Sequence, residues 1–274
     1  MTYNIQIWKE NKEKYQDYWE NKDIGGTFNN LINNFNEVET YIEEEGFLED
    51  FKRACLCLEK LGKKISGVGA DFAAGSMWLT AFILKNYPLI TQFYAIDYSR
   101  KNVFDLGSKL LEHYKISPEK LTLCLGSFYD IKLPSESLDF IVMAQAFHHA
   151  ENPDVLLQES YRLLKKGGFL IMVGELFISK NLYFKCYLNY LASLIVSSKY
   201  FPLSFFKHFK KLQNIGSKRL KGSFQNIYFP PDPVTGDHYY LKSQYKMFFL
   251  RNKFKFINIK SKKSNHLAYI LFKR

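Results

Sequence analysis

The sequence predicts an α/β domain on a seven-stranded sheet, with helices leading into it and a helical cap inserted after the fifth strand. Three observations predict it. Between residues 63 and 175, strand-like and helix-like segments alternate, the rhythm of parallel strands joined by crossover helices. A loop of small residues, Asp71-Phe72-Ala73-Ala74-Gly75, follows the first strand, and an acid, Asp97, ends the second. Apolar residues make up 47% of the chain and aromatics 17%, which is ample for a large core and excludes global disorder.

Residues 1–62 read as an N-terminal helical arm: residues 3–23 are rich in aromatics and charges, with Trp8, Tyr15, Tyr18 and Trp19. From Asn29 to Leu61, Phe47, Phe51, Cys55 and Leu58 recur at helical spacing, an amphipathic helix that packs on the α/β core and that Gly62 ends. The core, residues 63–175, starts with a strand over Ile65–Phe72 and a helix over Ser76–Lys85. A second strand spans Gln92–Ile96, and Ser99–His113 is helical with Ser99 as its N-cap. Strands over Leu121–Leu125 and Leu138–Ala144, a helix over Asn152–Leu164, a turn over Lys165–Gly168 and a strand over Phe169–Gly174 complete it. Residues 176–240 break the rhythm and are expected to cap the substrate side, at the strand ends where α/β folds bind ligands. Residues 241–274 return a helix over Leu241–Asn252 and strands over Phe254–Ile259 and Leu267–Phe272 that complete the sheet.

The net charge of +11 is unevenly spread. Residues 1–60 carry −6, residues 61–176 are neutral, and residues 177–274 carry 19 basic against 2 acidic side chains. Such a block favours anionic partners, among them phosphorylated metabolites, nucleotide-linked sugars, RNA and anionic membrane surfaces, or is a solvated basic face. Lys207, His208, Lys210, Lys211, Lys218, Arg219 and Lys221 are its densest part, and the tract from Tyr183 to Phe206 suits a lid, a homodimer contact or a membrane-surface helix, or, in its apolar half, an ordinary buried helix. The cysteines Cys55, Cys57, Cys124 and Cys186 have neither zinc-site nor disulfide spacing, so reduced thiols are expected. With no apolar signal core at the N-terminus and no stretch long enough to span a bilayer, a cytoplasmic location is expected.

A tight strand-to-helix loop with small residues lets a ligand approach the backbone, and an acid ending the next strand can accept both hydroxyls of an adenosine ribose. Alone, such a loop is more often mere tight packing, and Asp97 could simply cap the following helix; together they point to a nucleoside site. The stretch Gly126-Ser127-Phe128 through Leu133-Pro134, then Leu138-Asp139-Phe140-Ile141-Val142, Ala146-Phe147-His148-His149, Asn152-Pro153 and Leu163-Leu164-Lys165-Lys166-Gly167-Gly168 up to Glu175 resembles the class I S-adenosylmethionine-dependent methyltransferases, especially the ubiquinone-type and small-molecule (sugar) O-methyltransferases. The resemblance covers about 110 residues and implies a Rossmann-like sheet with S-adenosylmethionine as cofactor. It also implies that Asp71, Ala73 and Gly75 line the methionine end, that Asp97 binds the ribose, and that Tyr98, Ser127 and Phe128 surround the adenine. Ala144 and Gln145 would lie near the sulfonium. Two glycines of the family loop are replaced, by Ala73, tolerable if its backbone stays at negative φ, and by Met77, which adds bulk where relatives leave space.

Methyl transfer is an in-line displacement, so a hydroxyl acceptor needs alignment and a base. His148 and His149 follow the fourth strand, and one of them is expected to face the substrate; Glu175 would orient a histidine or hold a substrate hydroxyl. Asp237-His238-Tyr239-Tyr240 is either a substrate wall, with His238 and Tyr239 as its polar groups, or a helix-capping turn. No acids and histidines are spaced as ligands along the chain, so no metal is expected. The expected activity is methylation of a hydroxyl on a small polar, anionic acceptor, such as a sugar or nucleotide-linked sugar of polysaccharide biosynthesis. The competing readings are an RNA methyltransferase, although no RNA-binding module is recognisable, and a non-catalytic or altered-cofactor protein on the same scaffold.

Overall fold

In the computed structural model, residues 2–8, 35–196, 224–261 and 266–274 are described. The elements in chain order are β1 (Asn4–Ile7), α1 (Phe35–Glu44), α2 (Phe47–Lys60), β2 (Gly67–Phe72), α3 (Trp78–Asn86), β3 (Ile90–Asp97), a π-helical turn (Asn102–Leu106) running into α4 (Gly107–His113), and β4 (Leu121–Leu125). There follow β5 (Leu138–Ala144), a 3₁₀ turn (Phe147–His149), α5 (Pro153–Leu163), β6 (Leu164–Glu175), β7 (Phe177–Ile178), α6 (Lys180–Val196), α7 (Phe224–Tyr228), β8 (Tyr240–Leu241), α8 (Lys242–Arg251), β9 (Lys255–Ile259) and β10 (Leu267–Phe272).

The seven expected strands form one sheet with an eighth at its edge, in the order β1-β4-β3-β2-β5-β6-β10-β9. The first six in that order run parallel, and β10 is antiparallel to both β6 and β9. The chain winds outward from β2 to β4, then returns to lay β5 against the other side of β2. That reversal opens a crevice beyond the carboxyl ends of β2 and β5, where such sheets take ligands. Residues alternate between the two faces. Phe140 and Val142 of β5 join Phe47, Phe51 and Leu58 of α2 and Leu79 and Ile83 of α3 in one core layer. Ile141 and Met143 join Leu156 and Leu157 of α5 and Tyr245 and Phe249 of α8 in the other.

Four local expectations are corrected. Residues 4–7 are not helical: β1 pairs with β4, Ile5 opposite Leu123, covering what would otherwise be an open sheet edge. Tyr15, Tyr18 and Trp19 lie outside the described residues, as do residues 205–211, Lys218, Arg219 and Lys221. The helix leading into the core is broken at Gly46, whose φ of 74° lies in the left-handed region, into α1 and α2. Its end is as expected, with Gly62 and Lys63 donating their N–H groups to the carbonyls of Glu59 and Leu58. Lys165–Gly168 is not a separate turn, because β6 runs unbroken from Leu164, and the pairing with β5 absorbs the extra residues as an irregularity between Leu138 and Phe140. The helix expected from Ser76 begins two residues later, at Trp78.

The expected cap carries α6 and α7, joined by aromatic contacts such as Tyr183 to Phe224 with ring centroids 5.2 Å apart. A short parallel pair, β7 with β8, ties the two ends of the cap together. Among the described residues, no helix is long and apolar enough to cross a membrane.

Candidate functional site

The crevice is built from the loop after β2, the end of β3 and the turn after β5. Asp97 organises it. One carboxylate oxygen accepts the N–H of Gly75 at 2.8 Å, and the other accepts the N–H of Ser99 at 2.9 Å and the side-chain amide of Asn102 at 3.1 Å. The acid at the end of one strand thus clamps the small-residue loop of the next. Ser99 also caps the following turn, its hydroxyl accepting the N–H of Asn102. At Gly75 an added Cβ would meet nothing nearer than the carbonyl oxygen of Ala73 at 4.0 Å, so the loop presents open space there. An acid on a strand end beside a loop open to close approach fits the ribose and methionine ends of an adenosyl cofactor.

Asp71 is fully buried, and its carboxylate accepts the Thr80 hydroxyl at 2.7 Å. Burial pushes its carboxyl up to about 7, with the Thr80 hydrogen bond pulling the other way and the charge of Asp97 adding to the rise. It braces β2 against α3 beneath the loop.

The negative φ that would make Ala73 easily tolerated is not met. Ala73 and Met77 both take left-handed backbone, at φ of 55° and 64°. These are the conformations for which glycine is ordinarily used, and each costs an L-residue about 1–2 kcal/mol. The bulk of Met77 is housed in the core. Its side chain is fully buried, and a Cβ at Gly107 would stand 2.4 Å from its sulfur and 2.7 Å from the Asn102 carbonyl oxygen. Gly107 at the start of α4 therefore makes the room that Met77 fills.

Near the expected adenine end, Ser127 and Phe128 are buried, and the Ser127 hydroxyl accepts the Tyr129 N–H. Beside them stands a residue that motif reasoning missed. Trp8 donates its backbone N–H to the Leu125 carbonyl at 2.8 Å, and its Cβ would lie 3.1 Å from a Cβ on Gly126. Tyr98 follows Asp97 and is half-buried. At the expected sulfonium end, Gln145 follows Ala144 with a φ of 54° and donates its N–H to the Val173 carbonyl. Its side chain hydrogen-bonds the Tyr41 phenol of α1, so the leading helices close over this end of the crevice. Neither Trp8 nor Tyr41 lies in a motif, and only the aromatic content of the leading segment hinted at them.

The turn after β5 carries the two histidines. Glu175, wholly inaccessible to solvent, spans this turn by accepting the N–H groups of Ala146, Phe147 and His148 at 3.3, 3.1 and 3.0 Å. It also bonds His148 Nδ1 at 2.9 Å. Of its two expected roles, orienting a histidine is the one its position allows; a group so enclosed cannot receive a substrate hydroxyl. Burial drags the His148 pKa down, but the charge and hydrogen bond of Glu175 outweigh it and leave the imidazole raised. His149 goes the other way, lowered by burial and by the charge of His148 against the opposing pull of Asp237.

Asp237 arrives from the far end of the cap. Its Oδ1 lies 2.9 Å from His149 Nδ1, with about a fifth of each side chain exposed. The next residue, His238, donates its backbone N–H to the His148 carbonyl at 2.8 Å, joining the two segments. The His238 ring stacks on Tyr240, and the Tyr239 carbonyl accepts the Gln225 amide. Residues 237–240 thus form a wall beside the histidines. They do not cap a helix, because α8 starts at Lys242 and the Gln244 side chain takes the Leu241 N–H. No ligand spacing along the chain pointed to a metal, yet donor atoms of His148, His149 and Asp237 all lie within 4.8 Å of one another. Sequence spacing could not reveal this, since the third member is 88 residues further along the chain.

Residues 70–172 match the family model described as "Methyltransferase domain". No curated protein matches the chain. Among solved structures, the YcgJ protein from Bacillus subtilis superposes with a TM-score of 0.54 at 12% identity, over 82% of this chain and 99% of that one. Human N-acetylserotonin methyltransferase in complex with SAM also gives 0.54, at 15% identity, over 96% of this chain and 59% of that one. One chain of the complex between the Haloferax volcanii Trm112 methyltransferase activator and its methyltransferase gives 0.53 at 11% identity, over 90% of this chain and 97% of that one. At these identities the likeness is one of fold, the Rossmann-like α/β fold of the class I methyltransferases.

Proposed function

We propose that this protein transfers a methyl group from S-adenosylmethionine to a hydroxyl of a small polar acceptor. The observation that carries the reading is the clamp between Asp97 and Gly75 at the reversal point of the sheet, inside the segment that matches a methyltransferase domain. Bound there, S-adenosylmethionine supplies a methyl on a sulfonium, an electrophile that needs no further activation. The chain's own residues do the rest. Asp97 would accept the ribose hydroxyls, Gly75 and Ala73 would leave room for the methionine end, Tyr98, Ser127 and Phe128 would surround the adenine, and Ala144 and Gln145 would border the transferring carbon. Asp71 supports this end from beneath the loop.

On the acceptor side, the cluster of His148, His149 and Asp237 receives the hydroxyl proton, and Glu175 acts through His148 as a positioning residue. His238 and Tyr239 line the wall facing it. Oxygen is favoured as the nucleophile because two imidazoles and a carboxylate converge where an acceptor would dock, whereas a neutral amine nitrogen attacks without first losing a proton. A phosphorylated or nucleotide-linked sugar of polysaccharide biosynthesis is the acceptor class that the basic C-terminal third favours. We place the enzyme in the cytoplasm, where both substrates are made.

The test is calorimetric titration with S-adenosylmethionine and its demethylated product, followed by methyl-transfer assays on sugar phosphates, nucleotide sugars, quinone precursors and RNA. Binding, with turnover on a hydroxyl acceptor, is expected. No binding at millimolar cofactor refutes the reading, and salt-sensitive turnover on RNA replaces the acceptor.

A further inference from the structure

We infer that His148, His149 and Asp237 form a site for a divalent transition-metal ion of the zinc class, facing the acceptor side of the crevice. The three donors all lie within 4.8 Å of one another. Two ligands each about 2.1 Å from a cation stand about 3 Å apart at a right angle and about 3.4 Å apart at the tetrahedral angle. The 2.9 Å hydrogen-bonded separation of His149 Nδ1 and Asp237 Oδ1 is near the right-angle edge and would open by about 0.5 Å around a tetrahedral ion. Two imidazoles and one carboxylate select zinc and its neighbours over magnesium, which prefers an all-oxygen shell. Three protein donors also leave a coordination position open for an acceptor oxygen.

The surroundings are those of a built site. Glu175 holds His148 by Nδ1 and leaves Nε2 as the coordinating atom, the outer-shell carboxylate that fixes the tautomer of metal-bound histidines. The imidazoles are 4.4 Å apart and inclined at 49°, so they converge and do not stack flat. Backbone bonds set both halves before any ion arrives: His149 N–H to the Ala146 carbonyl, His238 N–H to the His148 carbonyl, and Asp232 N–H to the Asp237 carbonyl at 2.9 Å. His149 and Asp237 keep about a fifth of their side chains exposed, which provides the entry path. With an ion held there the three side chains would be ligands and no longer the proton acceptor; a hydroxyl bound to the ion would ionise near neutral pH, its proton leaving to solvent. That consequence, though not the site, rests on the methyltransferase reading.

The experiment uses the full chain, stripped with chelator and titrated with zinc chloride by calorimetry, with magnesium chloride as the contrast and metal content read by plasma mass spectrometry. One zinc per chain is expected, with no magnesium binding. Asp237→Asn and His149→Ala should each weaken zinc by at least about 100-fold, and Glu175→Gln by about 10- to 100-fold. Circular dichroism and a cooperative thermal melt certify that each variant is folded; if Asp237→Asn fails that check, Asp237→Glu replaces it, expected to keep zinc at reduced affinity. No zinc uptake by the parent chain, or uptake unaffected by the His149 and Asp237 variants, overturns the site. Zinc uptake without binding of S-adenosylmethionine leaves the site standing and overturns the proposed function.

Discussion

The Glu175→Gln variant tests how the histidine turn is held. Glu175 is wholly buried, and its two oxygens accept three backbone N–H groups and His148 Nδ1. Glutamine keeps the shape but turns one oxygen into an NH2, so in either orientation a donor opposes at least one backbone donor. Losing a hydrogen bond to a charged acceptor costs about 1.5–3 kcal/mol, and a buried N–H without an acceptor costs about 1–3 kcal/mol, overlapping to about 3 kcal/mol in all. With 274 residues, an unfolding entropy of ~2.1 cal/mol/K per residue converts this to a fall in Tm of about 5 °C. The same change leaves His148 Nδ1 without its carboxylate, so the proton can move to Nε2, the nitrogen that would face the acceptor. Scanning calorimetry reads the first effect and nitrogen-15 spectra of the imidazoles the second. A Tm within about 1 °C of the parent together with an unchanged His148 tautomer would refute the assignment of Glu175 as the anchor of this turn.

Gly107→Ala puts a methyl 2.4 Å from the Met77 sulfur and 2.7 Å from the Asn102 carbonyl oxygen, and should cost about 1–3 kcal/mol in urea unfolding. Adding Met77→Ala should recover part of that loss relative to the sum of the single changes, and strict additivity would show that the two residues do not meet. Asp71→Asn addresses pH. With a folded pKa of about 7 against an ordinary 3.8, the native state holds a proton that the unfolded chain has lost, so stability falls as pH rises from about 4 to about 7 and levels off above. That loss amounts to about 4 kcal/mol, which asparagine should abolish; identical pH profiles for parent and variant would contradict it. Asp97→Asn should weaken S-adenosylmethionine about 10- to 100-fold by calorimetry, since it disturbs the Gly75 clamp as well as the ribose contact, and an unaltered affinity would remove Asp97 from the site.

By itself the sequence determined the sheet and the loop-and-acid pair at its reversal point. Strands such as Leu121–Leu125 and Leu138–Ala144, the Asn152 cap with Pro153 behind it, and the loop from Asp71 to Gly75 ahead of Asp97 are written in short-range patterns: apolar runs, capping side chains and small residues at a turn. These patterns are local because backbone geometry repeats every two or 3.6 residues. The tertiary structure decided what has no such period. That Asn4–Ile7 would be a strand depended on the open edge of β4, which segment composition does not encode. That Ala73 and Met77 could both sit at positive φ depended on tertiary packing, including the space at Gly107 that receives Met77. That Asp237 would face His149 depended on the cap folding back until His238 reached the His148 carbonyl, so this cluster was assembled from pieces whose separation in the chain hides their meeting in space.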